Sequence, residues 1–145
     1  MGIKFQVRPE DPPSQIILHL QLHDLENTQQ QEALGVLGIN VIYGAYALHD
    51  RPIELIESLL DRLGRSRGEV DMIRFHGPMA TGVDARLMSV QLVTRGLTEA
   101  TMFTPDGHNV QPAERLYKKP VLIQRGSFRP ITRSVVQMLD RAKDH

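Results

Sequence analysis

The run Ile16-Ile17-Leu18-His19-Leu20-Gln21-Leu22-His23 repeats every second residue, with Ile16, Leu18, Leu20 and Leu22 on one side and Ile17, His19, Gln21 and His23 on the other. A period of two is the pattern of a strand with one buried face, so the chain is bound to build a sheet. Ile3 to Arg8 alternates in the same way until Pro9 and Pro12-Pro13 stop it, and the two runs are expected to pair as an antiparallel hairpin. His19 and His23 offer two imidazoles to a metal from the polar side. No third ligand or carboxylate stands near them in sequence, so a solvated strand face is the expectation and no metal site is assigned.

Further along, helical spacing takes over. Asn27 is a good N-cap residue, and Gln29 to Leu37 reads as a helix with Ala33, Leu34 and Leu37 on one stripe and Gly38 as its stop. Asn40 to Tyr46 reads as a buried strand, with a continued helix as the alternative, because short apolar runs do not resolve by periodicity. Asp50 caps the next helix, Pro52 suits its first turn, and Ile53, Ile56, Leu59, Leu60 and Leu63 form a stripe ended by Gly64. Glu54, Glu57 and Asp61 mark its solvated side.

Val70 to Phe75 reads as a strand closed by His76-Gly77-Pro78, and Thr81 or Asp84 opens a helix with Leu87, Met88, Gln91 and Leu92 on one face and Gly96 at its end. Thr98 to Thr104 is a strand, Pro105-Asp106-Gly107 a tight turn and His108 to Val110 a return strand. Pro120 to Arg125 is the last strand, and Ile131 to Lys143 the last helix, with Val135, Met138, Leu139 and Ala142 inward. Strands alternating with helices predict a layered, Rossmann-like α/β domain with a mostly parallel sheet and antiparallel N-terminal strands. The 145 residues suit a single domain, and the chain could equally be one domain or a shortened relative of a longer protein.

Composition narrows the chemistry. With no cysteine there is no disulfide, thiolate nucleophile or thiolate-bound metal, which suits a cytoplasmic protein, and no apolar run approaches the roughly 18 residues of a membrane span. A membrane partner is therefore not expected. Charge is divided along the chain: residues 1–64 hold 4 basic and 9 acidic side chains, residues 65–145 hold 13 and 8. A basic C-terminal half points to small anions rather than to nucleic acid, since Arg115, Lys118, Lys119, Arg125, Arg129 and Arg133 are interleaved only with Tyr117 and Phe128 as aromatics.

The sharpest candidate site is the turn after the last strand. A strand leading through Gly126-Ser127 into a helix aims free N–H groups and the helix dipole at one spot, and Arg125, Arg129 and Arg133 add full charges there. In a parallel sheet the loops after strand ends form the site, which brings His76 and Asp106 into consideration, with His76 able to move a proton near neutral pH. Ordinary turn geometry with solvated arginines is the alternative. Neither a Walker loop nor a dinucleotide-binding glycine triplet occurs, and Gly126-Ser127-Phe128 lacks the second glycine of a nucleophile elbow.

Gly126-Ser127-Phe128-Arg129-Pro130-Ile131-Thr132, after Val121-Leu122-Ile123 and before Met138-Leu139-Asp140-Arg141-Ala142, resembles the first strand, turn and helix of the nicotinate-nucleotide and pantetheine-phosphate adenylyltransferases. Their turn reads Gly-Ser/Thr-Phe-Asp-Pro and precedes a His-x-x-His pair. The matching positions here are Arg129, Thr132 and Val135, so the resemblance implies a nucleotide-binding turn without that family's catalytic histidines. About 20 residues are covered, at the C-terminal end rather than the start. Gly35 to Gly44, Glu69 to Ile73 and Leu116 to Pro120 are similar to segments of longer, poorly characterised bacterial proteins.

Two functions follow as expectations. One is binding of a phosphorylated small molecule, a nucleotide included, by Arg125, Gly126, Ser127, Arg129 and Arg133 with His76, with nucleotidyl or phosphoryl transfer as the reaction if there is one. The other is a non-enzymatic assembly domain that forms a homo-oligomer through the apolar stretch Val36 to Leu48 with Tyr43 and Tyr46.

Overall fold

The computed structural model describes residues 1–126 and 128–143 and divides them into two compact units, 1–112 and 113–145. The first contains β1 (Gly2–Phe5), β2 (Ser14–Leu22), α1 (Asn27–Ala47), α2 (Pro52–Ser58), β3 (Gly68–His76), α3 (Ala85–Thr94), β4 (Met102–Phe103) and β5 (Asn109–Val110). The expected hairpin is there, with Ile3 opposite Ile16 and Phe5 opposite Ser14. Ile16 and Leu18 are fully buried and Leu20 and Leu22 pack beside them, as the alternation requires.

The main sheet runs β1-β2-β3 and is antiparallel throughout, which corrects the parallel arrangement. The cause lies in the connection between β2 and β3. One crossover helix carries a chain back to the opposite end of the sheet from the one at which it left, giving a parallel strand. Here two helices, α1 and α2, fill the connection, so the chain comes back to the end at which β2 left and β3 runs antiparallel to it.

The two helices follow one another directly because residues 40–46 are helical rather than a strand. Ala33, Leu37, Val41 and Ala45 recur at every fourth position and are all buried, a helical stripe that runs straight through Gly38. Gly44 lets α2 approach, since a Cβ there would stand 2.8 Å from Cγ of Leu55. Asn40 fastens the pair by donating from Nδ2 to the carbonyls of Leu59 and Asp61, each at 2.9 Å. Beyond α2 the chain continues as turns that still bury Leu59, Leu60 and Leu63.

Asp84 caps α3 by accepting from the backbone N–H of Arg86 at 2.9 Å. Arg86 also holds that carboxylate, first through its guanidinium and then through the N–H, and the Asp84 pKa falls from 3.8 to about 2. The predicted strand 98–104 contracts to Met102–Phe103, because Thr98 is buried and turns its hydroxyl to the carbonyl of Ala100. The tight turn is as expected: Gly107 takes φ +85°, and Met102 and Phe103 pair with Val110 and Asn109.

The second unit holds most of α4 (Pro112–Leu116), together with α5 (Arg133–Lys143). None of its described side chains is buried. Residues 121–125 form no strand. Val121, Leu122 and Ile123 are 47%, 57% and 82% exposed, so their β-favouring side chains have neither a ladder nor a covered face to settle on.

Candidate functional site

The basic turn lacks the framework that the sequence suggested. No strand leads into Gly126, and α5 opens at Arg133, seven positions later, so the helix dipole does not act at the glycine. Arg125, Gly126 and Arg129 lie in irregular chain and Arg133 begins the helix, all four exposed; Ser127 lies outside the described residues. Lys118, Lys119, Arg125, Arg129 and Arg133 have no carboxylate partner among the described residues. His76 belongs to the other unit, where it ends β3 opposite Gln15 with its side chain exposed. Asp106, also considered as a site residue, stands 3.1 Å from Nε2 of His108 in the β4–β5 turn.

The open face of the sheet carries a better-formed polar group, centred on His19. Its origin is a β-bulge. His19 pairs with Met72 and Leu20 with Val70, which leaves Asp71 as the extra residue of β3. The alternation shifts there, so that Val70 and Ile73, three apart, both face the core. Asp71 is thereby aimed at His19, with Oδ1 2.7 Å from Nδ1. Gln111 Nε2 stands 2.9 Å from the other imidazole nitrogen, a geometry in which His19 donates to Asp71 and accepts from Gln111. Both ring nitrogens are thus engaged, and the arrangement clips three chain segments rather than presenting a base.

His23 has its own carboxylate, Glu69, at 4.0 Å. Four positions along a strand are about 13 Å, too far for His19 and His23 to share an ion. No group of three or more histidine, aspartate or glutamate side chains fit to hold a metal occurs among the described residues. The warning in the sequence was the broken alternation of Val70-Asp71-Met72-Ile73, where two core residues are separated by two others rather than one.

A third feature is the outer side of α1. Its 21 residues include one charged side chain, Glu32, and the turns away from the core expose Ile39 (68%), Ile42 (51%), Tyr43 (56%) and Tyr46 (56%). Gly35 and Gly38 lie along the same side, and a Cβ on either would meet nothing within 4 Å. Neither glycine serves packing within the chain as Gly44 does, yet each costs roughly 1 kcal/mol of helix stability relative to alanine. Apolar as it is, no helix among the described residues is long and apolar enough to cross a membrane. Comparison with family models, with curated proteins and with solved structures finds no match to this chain.

Proposed function

We propose that this chain is a non-enzymatic assembly domain that self-associates through the outer side of α1. The observation that carries the reading is the coincidence of Ile39, Ile42, Tyr43 and Tyr46, all exposed, with two glycines that have no neighbour of their own. Apolar side chains around a strip without Cβ atoms allow a second helix to approach closely, and aromatics are favoured at such contacts. Sedimentation velocity on the wild-type chain should give a dimer or larger species. Ile39→Glu combined with Ile42→Glu should give a monomer with unchanged circular dichroism. A wild-type chain that stays monomeric at high concentration would refute the reading.

A second reading keeps the basic segment as an anion-binding site, and the exposure of Arg125, Arg129 and Arg133 without carboxylate partners among the described residues favours it. The ligand is a phosphorylated small molecule such as a nucleotide, held by guanidinium forks. Calorimetric titration with ATP should show binding that Arg125→Ala with Arg129→Ala removes; silence at millimolar ATP would sink it.

A further inference from the structure

Strand β1 forms one edge of the main sheet, and its hydrogen-bonding phase can be read from the residue just before it. Met1 and Leu18 exchange both backbone bonds, at 2.8 and 2.9 Å. In an antiparallel ladder such pairs recur at every second residue, so Ile3 and Phe5 are turned towards β2. Gly2 and Lys4 therefore direct their N–H and C=O groups outward. Among the described residues nothing accepts from or donates to them there. The other edge differs, because the N–H of Val70 on β3 donates to the carbonyl of Leu97 at 2.9 Å.

A cleft of about 780 Å³ lies at the C-terminal end of β1, lined by Lys4, Phe5, Arg8, Pro9, Pro13 and Tyr46 among others. Its charge is exceptional for its surroundings. Residues 1–112 hold 9 basic and 14 acidic side chains, and Arg51, Arg67, Arg86 and Arg95 are each paired with a carboxylate. Arg65 and Arg74 bond to backbone carbonyls. Among the described residues that leaves the side chains of Lys4, Arg8 and Arg62 without a hydrogen bond or ion pair, and two of these three line the cleft. On its other side the ring of Tyr46 stands 5.6 Å from that of Phe5.

We infer that the free edge of β1 takes up an extended acidic segment of a partner protein as a fourth strand. Its carboxylates meet Lys4 and Arg8, and its alternate, apolar side chains meet Phe5 and Tyr46. Main-chain bonds to an edge supply affinity of this kind, and side-chain pockets at alternate positions supply selectivity. A second copy of β1 laid antiparallel about Lys4 sets Lys4 against Lys4, which disfavours that register. The lysine that discourages self-pairing thus selects an acidic strand.

The inference goes beyond association through α1 but shares Tyr46 with it, and the test separates them by leaving Tyr46 in place. The probe is a fluorescein-labelled, capped peptide of alternating glutamate and valine, eight residues long, titrated by anisotropy with the full chain at low salt. Binding should weaken with salt and be at least about tenfold tighter than for a peptide with its glutamates and valines in two blocks. Lys4→Glu with Arg8→Glu, checked for folding by circular dichroism, should lose the peptide and prefer an alternating lysine–valine one. Ile39→Glu with Ile42→Glu should bind it as the wild type does. Equal binding of the two glutamate peptides, retention of binding by the Lys4/Arg8 variant, or no binding at millimolar peptide would overturn the proposal. So would a change of oligomeric state in the Lys4/Arg8 variant, which would place a second copy on this edge.

Discussion

Helix α5 has the cleaner amphipathic pattern and α1 the deeper packing. In α5, Val135, Leu139 and Ala142 share a stripe opposite Arg133, Asp140 and Arg141, yet Met138 is 59% exposed and no described side chain of the helix is buried. In α1 apolar residues run all round, and only Ala33, Leu37, Val41, Gly44 and Ala45 are buried. An amphipathic period states a capacity to dock and says nothing of whether a surface is offered. What settles α1 is a stripe at every fourth position matched by a sheet face and by α2.

The contrast breaks most readily at single side chains. Leu37→Ala removes a fully buried side chain and should cost about 2–5 kcal/mol in urea denaturation. Met138→Ala should stay within about 0.5 kcal/mol of wild type, and equal losses at the two positions would abolish the distinction.

The two sides of α1 sharpen it, through a change of sign. Gly44→Ala drives a methyl into Leu55 and should destabilise by about 1–3 kcal/mol. Gly35→Ala or Gly38→Ala meets open space and should stabilise dilute protein by up to about 1 kcal/mol, while weakening self-association on the same helix.

The smallest effect belongs to helix starts. α1 begins without a side-chain cap, whereas α3 depends on Asp84. Asp84→Ala should lower the melting temperature modestly at neutral pH. Because the folded-state pKa lies below the ordinary value, at about 2, the cap's contribution is present above pH 3.8 and is lost as pH falls through the folded value. Wild type and variant should therefore converge on acidification from about pH 4 towards 2; a constant gap would mean that the Asp84 charge is not involved.

Where local signals stood alone, the sequence was readable. The alternation of Ile16, Leu18, Leu20 and Leu22, the Asp84 cap and the Pro105-Asp106-Gly107 turn each specify their structure within a few residues. It was unreadable where two periods overlapped or a partner was needed. Val41, Ile42 and Tyr43 favour a strand locally, but Ala33, Leu37, Val41 and Ala45 make the longer pattern, and the longer pattern wins because the core rewards it. That one helix reversed β3 and with it the sheet. Val121, Leu122 and Ile123 have the apolar content of a strand but not the burial that would make one. Of the polar features, the His19–Asp71 pair needed a bulge to bring it about, and the free ladder groups of Gly2 and Lys4 depend on strand order, which no single stretch of sequence states.

The boundary at residue 112 also sorts charge. Residues 1–112 carry a formal −5 and residues 113–145, with 8 basic and 3 acidic side chains, carry +5. A chain that is neutral as a whole but bipolar in this way has nothing to keep its copies apart and two opposite regions with which to attract them. Its solubility should be poorest in dilute buffer near neutrality. Raising the ionic strength to about 0.15 M, where charges are screened beyond about 8 Å, should dissolve more of it rather than less. Salting-in is thus the behaviour to plan for when the protein is purified.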